Sequence, residues 1–175
     1  MAAATTTSRL PDARFLVAHP AHFIALGFGS GLAPVAQGTF GTLMTIPLYW
    51  GLATFLPPLA IALLAVPLFF LGVWACEVTG RALGVSDHRA MVWDEVVAFL
   101  PLAVVAGASI WMQLVAFGLF RGFDILKPPP IRYFETNLKG GLGVMFDDLI
   151  AASYTFAILI VLVLGGKALL RELAA

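Results

Sequence analysis

Four apolar stretches divide this chain, and most of its acidic residues stand at their ends. The stretches run from about Leu43 to Leu56, Leu59 to Cys76, Val96 to Phe120 and Leu149 to Leu164. Six of the ten acidic residues flank them: Asp87, Asp94, Glu95, Asp124, Asp147 and Asp148. A span across a bilayer needs roughly 20 apolar residues, and charge beside a bilayer is costly and kept mainly where it acts. Only 11% of the residues are charged and 61% are hydrophobic, whereas a soluble domain is about a quarter charged. The pattern predicts an all-α, polytopic integral membrane bundle whose charged loops and helix ends gather on one membrane face.

The chain length suits one domain, expected over 15–175, after a flexible N-terminal tail over 1–14 that has no signal-type apolar core. Pro57 and Pro58 break the first two stretches into a helical hairpin, because proline lacks an amide donor and disfavours helix before it. The third stretch is decisive. As one helix it would hold Asp94–Glu95 and Arg121–Asp124 about 40 Å apart, whereas a break near Ala106–Ser109 returns both to one side. The hairpin is the reading adopted, since it makes one site of the charges. Eight of the ten basic residues then share that side, which the positive-inside rule assigns to the cytoplasm. Net charge is zero, so nothing favours nucleic acid. The single cysteine, Cys76, reads as a buried small hydrophobe.

The polar segments carry the chemistry. Gly27-Phe28-Gly29-Ser30-Gly31 and Gly38-Thr39-Phe40-Gly41-Thr42 read either as anion-cradling loops before a helix or as glycine-rich turns with a threonine cap. There is no Walker lysine. In Asp87-His88-Arg89-Ala90-Met91-Val92-Trp93-Asp94-Glu95, the seven-residue spacing of Asp87 with Asp94 and of His88 with Glu95 would align each pair on a helix face. Asp87 could equally cap from outside the helix. Asp94 and Glu95 would diverge by roughly 100°. Arg121, Asp124 and Lys127 form a stripe before Pro128–Pro130, which brings Lys127 and Arg132 to either side of a stiff turn. Lys139-Gly140-Gly141-Leu142-Gly143 reads as a loop that meets a helix start carrying Asp147 and Asp148. Glu77 and Arg81 are expected to pair along a helix, and His19 and His22 to anchor at an interface. Carboxylates beside cations at a membrane suggest a divalent metal and a phosphate-bearing lipid.

These segments, in this order, resemble the phosphatidylglycerophosphatase A family of bacterial membrane lipid phosphatases. The resemblance covers about residues 20–155 and includes Val92-Trp93-Asp94-Glu95, Phe120-Arg121 with Asp124, Lys127-Pro128 with Pro130-Ile131-Arg132, and Gly140-Gly141 with Asp147-Asp148. It departs at Gln37, where the family has proline, at Thr42, where it has serine, and at Arg89, where glycine is common. The resemblance implies Mg²⁺-dependent hydrolysis of phosphatidylglycerophosphate to phosphatidylglycerol and phosphate, at the cytoplasmic face of the bacterial inner membrane. Asp94, Glu95, Asp124, Asp147 and Asp148 are then the expected metal ligands. Asp87, His88, Arg121 and Lys127 join Asp94, Glu95, Asp124 and Asp148 as expected catalytic residues. Gly29, Ser30, Gly31, Gly38, Thr39, Thr42, Arg132, Lys139, Gly140 and Gly141 are the expected substrate-binding set. Water activated by the metal is preferred as nucleophile over an aspartyl-phosphate route. The alternative from another class is a small transporter or channel with an acidic relay, whose charges should lie mid-span.

Overall fold

The computed structural model describes residues 10–173. All regular structure among them is helical, as expected. Of the tail expected over 1–14, residues 1–9 lie outside the described residues. Asp12 accepts from the Phe15 amide at 2.9 Å and starts helix α1, Ala13–Ala18. The His19 ring accepts from the Ala21 amide at 3.1 Å and starts α2, Pro20–Ala25. A short 3-10 turn, Gly27–Leu32, follows, with Gly29 at φ 105, a value that favours glycine.

The long elements extend beyond their apolar stretches. Helix α3, Gln37–Ala53, already includes Gly38, Thr39, Gly41 and Thr42, so the expected second glycine loop is the first turns of a helix. The helix starts at Gln37, whose side chain donates to the Ala33 carbonyl at 2.8 Å. Helix α4 runs Pro58–Leu83, so the Pro57–Pro58 break falls where expected. The third stretch divides into α5, Trp93–Ala106, and α6, Ile110–Leu126. Gly107 sits at φ 69, and Ser109 caps α6. Gln113 closes the hairpin, because its amide donates to the carbonyls of Ala103 at 2.8 Å and Gly107 at 2.7 Å. These are end carbonyls of α5, where the chain turns away; Ala103 also accepts the Gly107 amide at 3.0 Å. Helix α7 is Ile131–Asn137 and α8 is Gly140–Leu173.

Helix α5 is the axis of the fold and touches α3, α4, α6 and α8. Val96, Val97, Ala98, Phe99, Leu100, Leu102 and Ala103 are all buried, as fits a helix that is apolar all round. Small residues allow close approach of neighbouring helices. Gly72 of α4 faces the Trp93 indole and Met145, and Gly141 of α8 abuts the Val73 carbonyl of α4. Helices α4 and α8 are long and apolar enough to cross a bilayer, yet only 22% and 17% of their most apolar windows is buried. The core helix of a soluble protein would hide such a face. Here Leu59, Phe70, Val161 and Leu164 point outward.

Candidate active site

The start of α5 is clamped from three sides. The Val92 amide donates to the Ala25 carbonyl at 2.9 Å, and Gly27 and Gly41 press on the Val92 side chain. The Trp93 indole donates to the Leu68 carbonyl of α4 at 3.1 Å, while Phe28 meets its ring edge-on at 5.3 Å. This clamp fixes Asp94 and Glu95 in the first turn of α5. Asp148 of α8 comes to them because Gly141 seats α8 against α4. Ligand oxygens of Asp94, Glu95 and Asp148 lie within 4.8 Å of one another. The expected divergence of Asp94 and Glu95 ends at the backbone, since their carboxyls meet.

A second layer surrounds this cluster. Arg121 reaches Asp124 at 2.7 Å and Glu95 at 3.4 Å, bridging α6 and α5. The Asp124 carboxyl lies against that of Asp148. Lys127 leaves the expected stripe, because it ends α6 at φ 45 and turns its ammonium to Asp147 of α8 at 3.2 Å. Five carboxylates thus face two cations, Arg121 and Lys127. Asp94 Oδ1, Glu95 Oε2 and Asp148 Oδ2 are buried with no hydrogen-bond partner. Buried charge is normally paired or metal-bound. Three carboxylates that each carry an orphaned oxygen, and that each bring one oxygen within 4.8 Å of the others, fit a hard divalent cation such as Mg²⁺.

The segment before α5 corrects one expectation. It is not helical, so the seven-residue spacings of Asp87 with Asp94 and of His88 with Glu95 do not define a helix face. His88 is buried; its Nδ1 accepts from the Ala90 amide at 3.1 Å, and its Nε2 has no hydrogen-bond partner. Burial, then the nearby Arg89 charge, lowers its pKa below the usual histidine value. A neutral ring that accepts at Nδ1 carries its proton on Nε2. Asp87 is exposed and lines a polar cleft of about 180 Å³ with Ser86, Lys139, Gly140 and Asp147.

The expected substrate-binding residues divide. Gly38 faces the cluster directly, since a Cβ there would run into the Glu95 carboxylate and approach Arg121. Thr39 is half-buried on the same turn. Thr42 is buried and its hydroxyl donates back to the Gly38 carbonyl at 2.9 Å. Gly29 faces Leu16, Gly31 faces the Ala90 carbonyl, and the Ser30 hydroxyl donates to Gly27 at 2.8 Å. Those three residues shape the clamp on α5. Arg132 is exposed and donates to the Leu126 carbonyl at 3.4 Å, and Lys139 is exposed on the rim of the cleft. Gly140 and Gly141 form the first turn of α8 rather than a loop.

Two functions escaped the pattern of residues. Glu77 pairs with Arg81 at 2.7 Å as expected, and its carboxylate also accepts the Gly141 amide at 2.9 Å, tying α8 to α4. A carboxylate just past an apolar run was its signal. His22 is buried with Nδ1 3.0 Å from the Thr79 hydroxyl, so it locks α2 onto α4 rather than standing at an interface.

The profile of the Phosphatidylglycerophosphatase A family matches residues 23–163. Phosphatidylglycerophosphatase A of Escherichia coli (strain K12) is 40% identical over 147 residues, covering 83% of this chain and 85% of that protein. Phosphatidylglycerophosphatase A of Haemophilus influenzae is 41% identical over 157 residues, covering 85% and 91%. A Bacteroides thetaiotaomicron protein named "Putative phosphatidylinositol-3-phosphatase" is 39% identical over 144 residues, covering 79% and 90%. No solved structure matches the chain. The chain belongs to the phosphatidylglycerophosphatase A family.

Proposed function

We propose that this chain removes the terminal phosphate of phosphatidylglycerophosphate, yielding phosphatidylglycerol and inorganic phosphate, with Mg²⁺ as cofactor. The observation that carries the metal-dependent reading is the trio of orphaned oxygens on Asp94, Glu95 and Asp148. The substrate rests on membership of a family whose relatives carry that activity in their names. Asp94, Glu95 and Asp148 would hold the ion, with Asp124 and Asp147 beside them. A bound Mg²⁺ would supply Lewis-acid polarisation of the phosphoryl oxygens.

The remaining work falls to the chain's own groups. Arg121 and Lys127 are the half-buried cations of the site and offset charge that builds on the phosphoryl oxygens. Lys139, on the rim of the cleft, draws the anionic headgroup toward Asp147 and Gly140.

The protein is proposed to be a multi-pass protein of the bacterial inner membrane. The α3–α4 and α5–α6 hairpins return the chain to the cytoplasmic side, and α8 crosses once more. The outward apolar faces of α4 and α8 support this placement. A transporter reading is not favoured, because the carboxylates converge on one closed cluster with cations rather than along a path.

The test is phosphate release from the purified, detergent-solubilised chain, with Mg²⁺ and with EDTA. Phosphatidylglycerophosphate and phosphatidylinositol 3-phosphate are both offered, since a relative's name points to the second. Mg²⁺-dependent release from the first lipid is the expected result. Release that survives EDTA would remove the metal from the reading, and release from the inositide alone would replace the substrate.

A further inference from the structure

The carboxylate cluster is sunk below the level at which α4 first carries charge. Trp93, which begins α5, donates to Leu68 and packs on Gly72. Glu77 is the first charged residue after that apolar run. At 1.5 Å per residue, Leu68 and Gly72 lie about 13 and 8 Å short of it along α4. One leaflet of the hydrocarbon core is about 15 Å deep. A lipid that presents its phosphate to the cluster must therefore enter alongside the helices, with its tails against them.

Among the described residues, one apolar groove lies between two helices that both carry site residues. It is a groove of about 420 Å³ between α3 and α6, lined by Phe40, Leu43, Pro47 and Trp50 on one wall and Ile110 and Leu114 on the other. Both walls lead to the site. The first turn of α3 places Gly38 against Glu95 and Arg121, and α6 brings Arg121 itself two turns beyond Leu114. From Phe40 to Trp50 the groove is about 15 Å long. A second apolar pocket, lined by Val66, Phe70, Val97 and Leu149, is smaller at about 270 Å³. That pocket has, among the described residues, no cationic side chain on the helices that wall it near the site, whereas both walls of the α3–α6 groove belong to helices that meet at Arg121.

We propose that the groove between α3 and α6 holds one acyl chain of the lipid substrate, with the phosphate drawn to the Gly38–Arg121 end. The proposal rests on the lipid-phosphatase reading above and adds where the tail goes. A chain lying in the groove contacts its walls along about 15 Å, so the contact grows with chain length. Substrates with full-length chains therefore use the groove, and very short ones do not.

Two measurements test it. The first uses a non-hydrolysable phosphonate analogue of phosphatidylglycerophosphate carrying a mid-chain diazirine, photolysed in detergent with Mg²⁺ present. Crosslinks are mapped by peptide mass. Labels concentrated on residues 40–50 and 110–114 are expected. Labels on 65–70 and 149, or spread evenly over outward faces, would overturn the proposal. The map needs no turnover, so it is read even where the activity assay fails. The second measurement fills the slot with Leu43→Trp and Leu114→Trp, both exposed positions. Each should raise KM for the long-chain lipid about tenfold and leave kcat/KM for a dibutyryl analogue unchanged. Unchanged KM for both lipids, in variants with the wild-type melting temperature, would also overturn it. A matching Val66→Trp variant should change neither.

Discussion

Gly38 and Gly51 lie on one helix and differ in what a methyl group would meet. At Gly38 a Cβ would occupy the space of the Glu95 carboxylate and press on the Arg121 guanidinium. At Gly51 nothing lies within 4 Å. Both positions are inside α3, where alanine is favoured over glycine by about 0.5–1 kcal/mol. Gly51→Ala should therefore raise the melting temperature slightly and leave the rate unchanged. Gly38→Ala gains the same helix preference but must push the Glu95 carboxylate aside by on the order of 1 Å. A misplacement of that size costs about 10²-fold in rate, equivalent to about 2.7 kcal/mol of transition-state stabilisation. The displaced atom is the end of a side chain and not backbone, so the fold should survive. The assay is initial phosphate release at limiting and saturating lipid, paired with thermal unfolding in the same detergent. The expected signature is a loss in kcat with a melting temperature near wild type. A Gly38→Ala variant with full kcat would refute the placement of Glu95 in the reacting site. Equal losses in both variants would refute the claim that contact, rather than backbone freedom, is what glycine supplies there.

Other perturbations follow from single contacts. Gln113→Leu keeps the volume but removes the side-chain donor from the Gly107 carbonyl and leaves the Ala103 carbonyl with the Gly107 amide alone, and should destabilise the protein by about 1–3 kcal/mol, read as an earlier unfolding transition in detergent. Arg121→Lys keeps the charge but is one bond too short to place a nitrogen where Nη1 bridges Asp124 and Glu95, so the rate should fall about 10- to 100-fold. Full activity in that variant would reduce Arg121 to a point charge. His22 is expected to make stability depend on pH. Burial, then the neighbouring His19, lowers its folded pKa below the usual value of 6.5. The unfolded chain then takes up a proton first as pH falls, so His22's contribution is complete above about 6.5 and declines as pH drops toward the folded pKa. Melting temperatures from pH 8 down to pH 5 should show that decline in the wild type and a flatter curve in His22→Asn. Parallel curves would assign the slope elsewhere.

Much of the architecture was legible because it rests on local rules. Pro57–Pro58 could only break a helix, and the weaker Ala106–Ser109 signal did mark the turn between α5 and α6. The identity of the clustered acids was also legible, since uncompensated carboxylates next to apolar runs need a reason to persist. What stayed hidden depends on partners far away in the chain. Asp94 and Glu95 diverge along an isolated helix, and they converge here with Asp148, which arrives on α8. The spacing of Asp87 and His88 looked helical, yet α5 starts only at Trp93 because the Val92–Ala25 bond and the Trp93–Leu68 bond fix its first turn there.

The glycines carry the larger lesson. In sequence they read as loops whose bare amides could cradle an anion. In the structure Gly41 lets α3 close on Val92, Gly72 lets α4 close on Trp93 and Met145, and Gly141 lets α8 close on the Val73 carbonyl. Among helices in lipid, where apolar burial gives no preference for protein over solvent, such close approach is a main source of association. The same contacts set the depth and spacing of the carboxylates, so packing and site geometry are one problem in this fold. Enlarging any of these three glycines should therefore damage stability and rate together. At Gly38, which touches the end of a carboxylate side chain in the site rather than a packed helix neighbour, the two effects should separate.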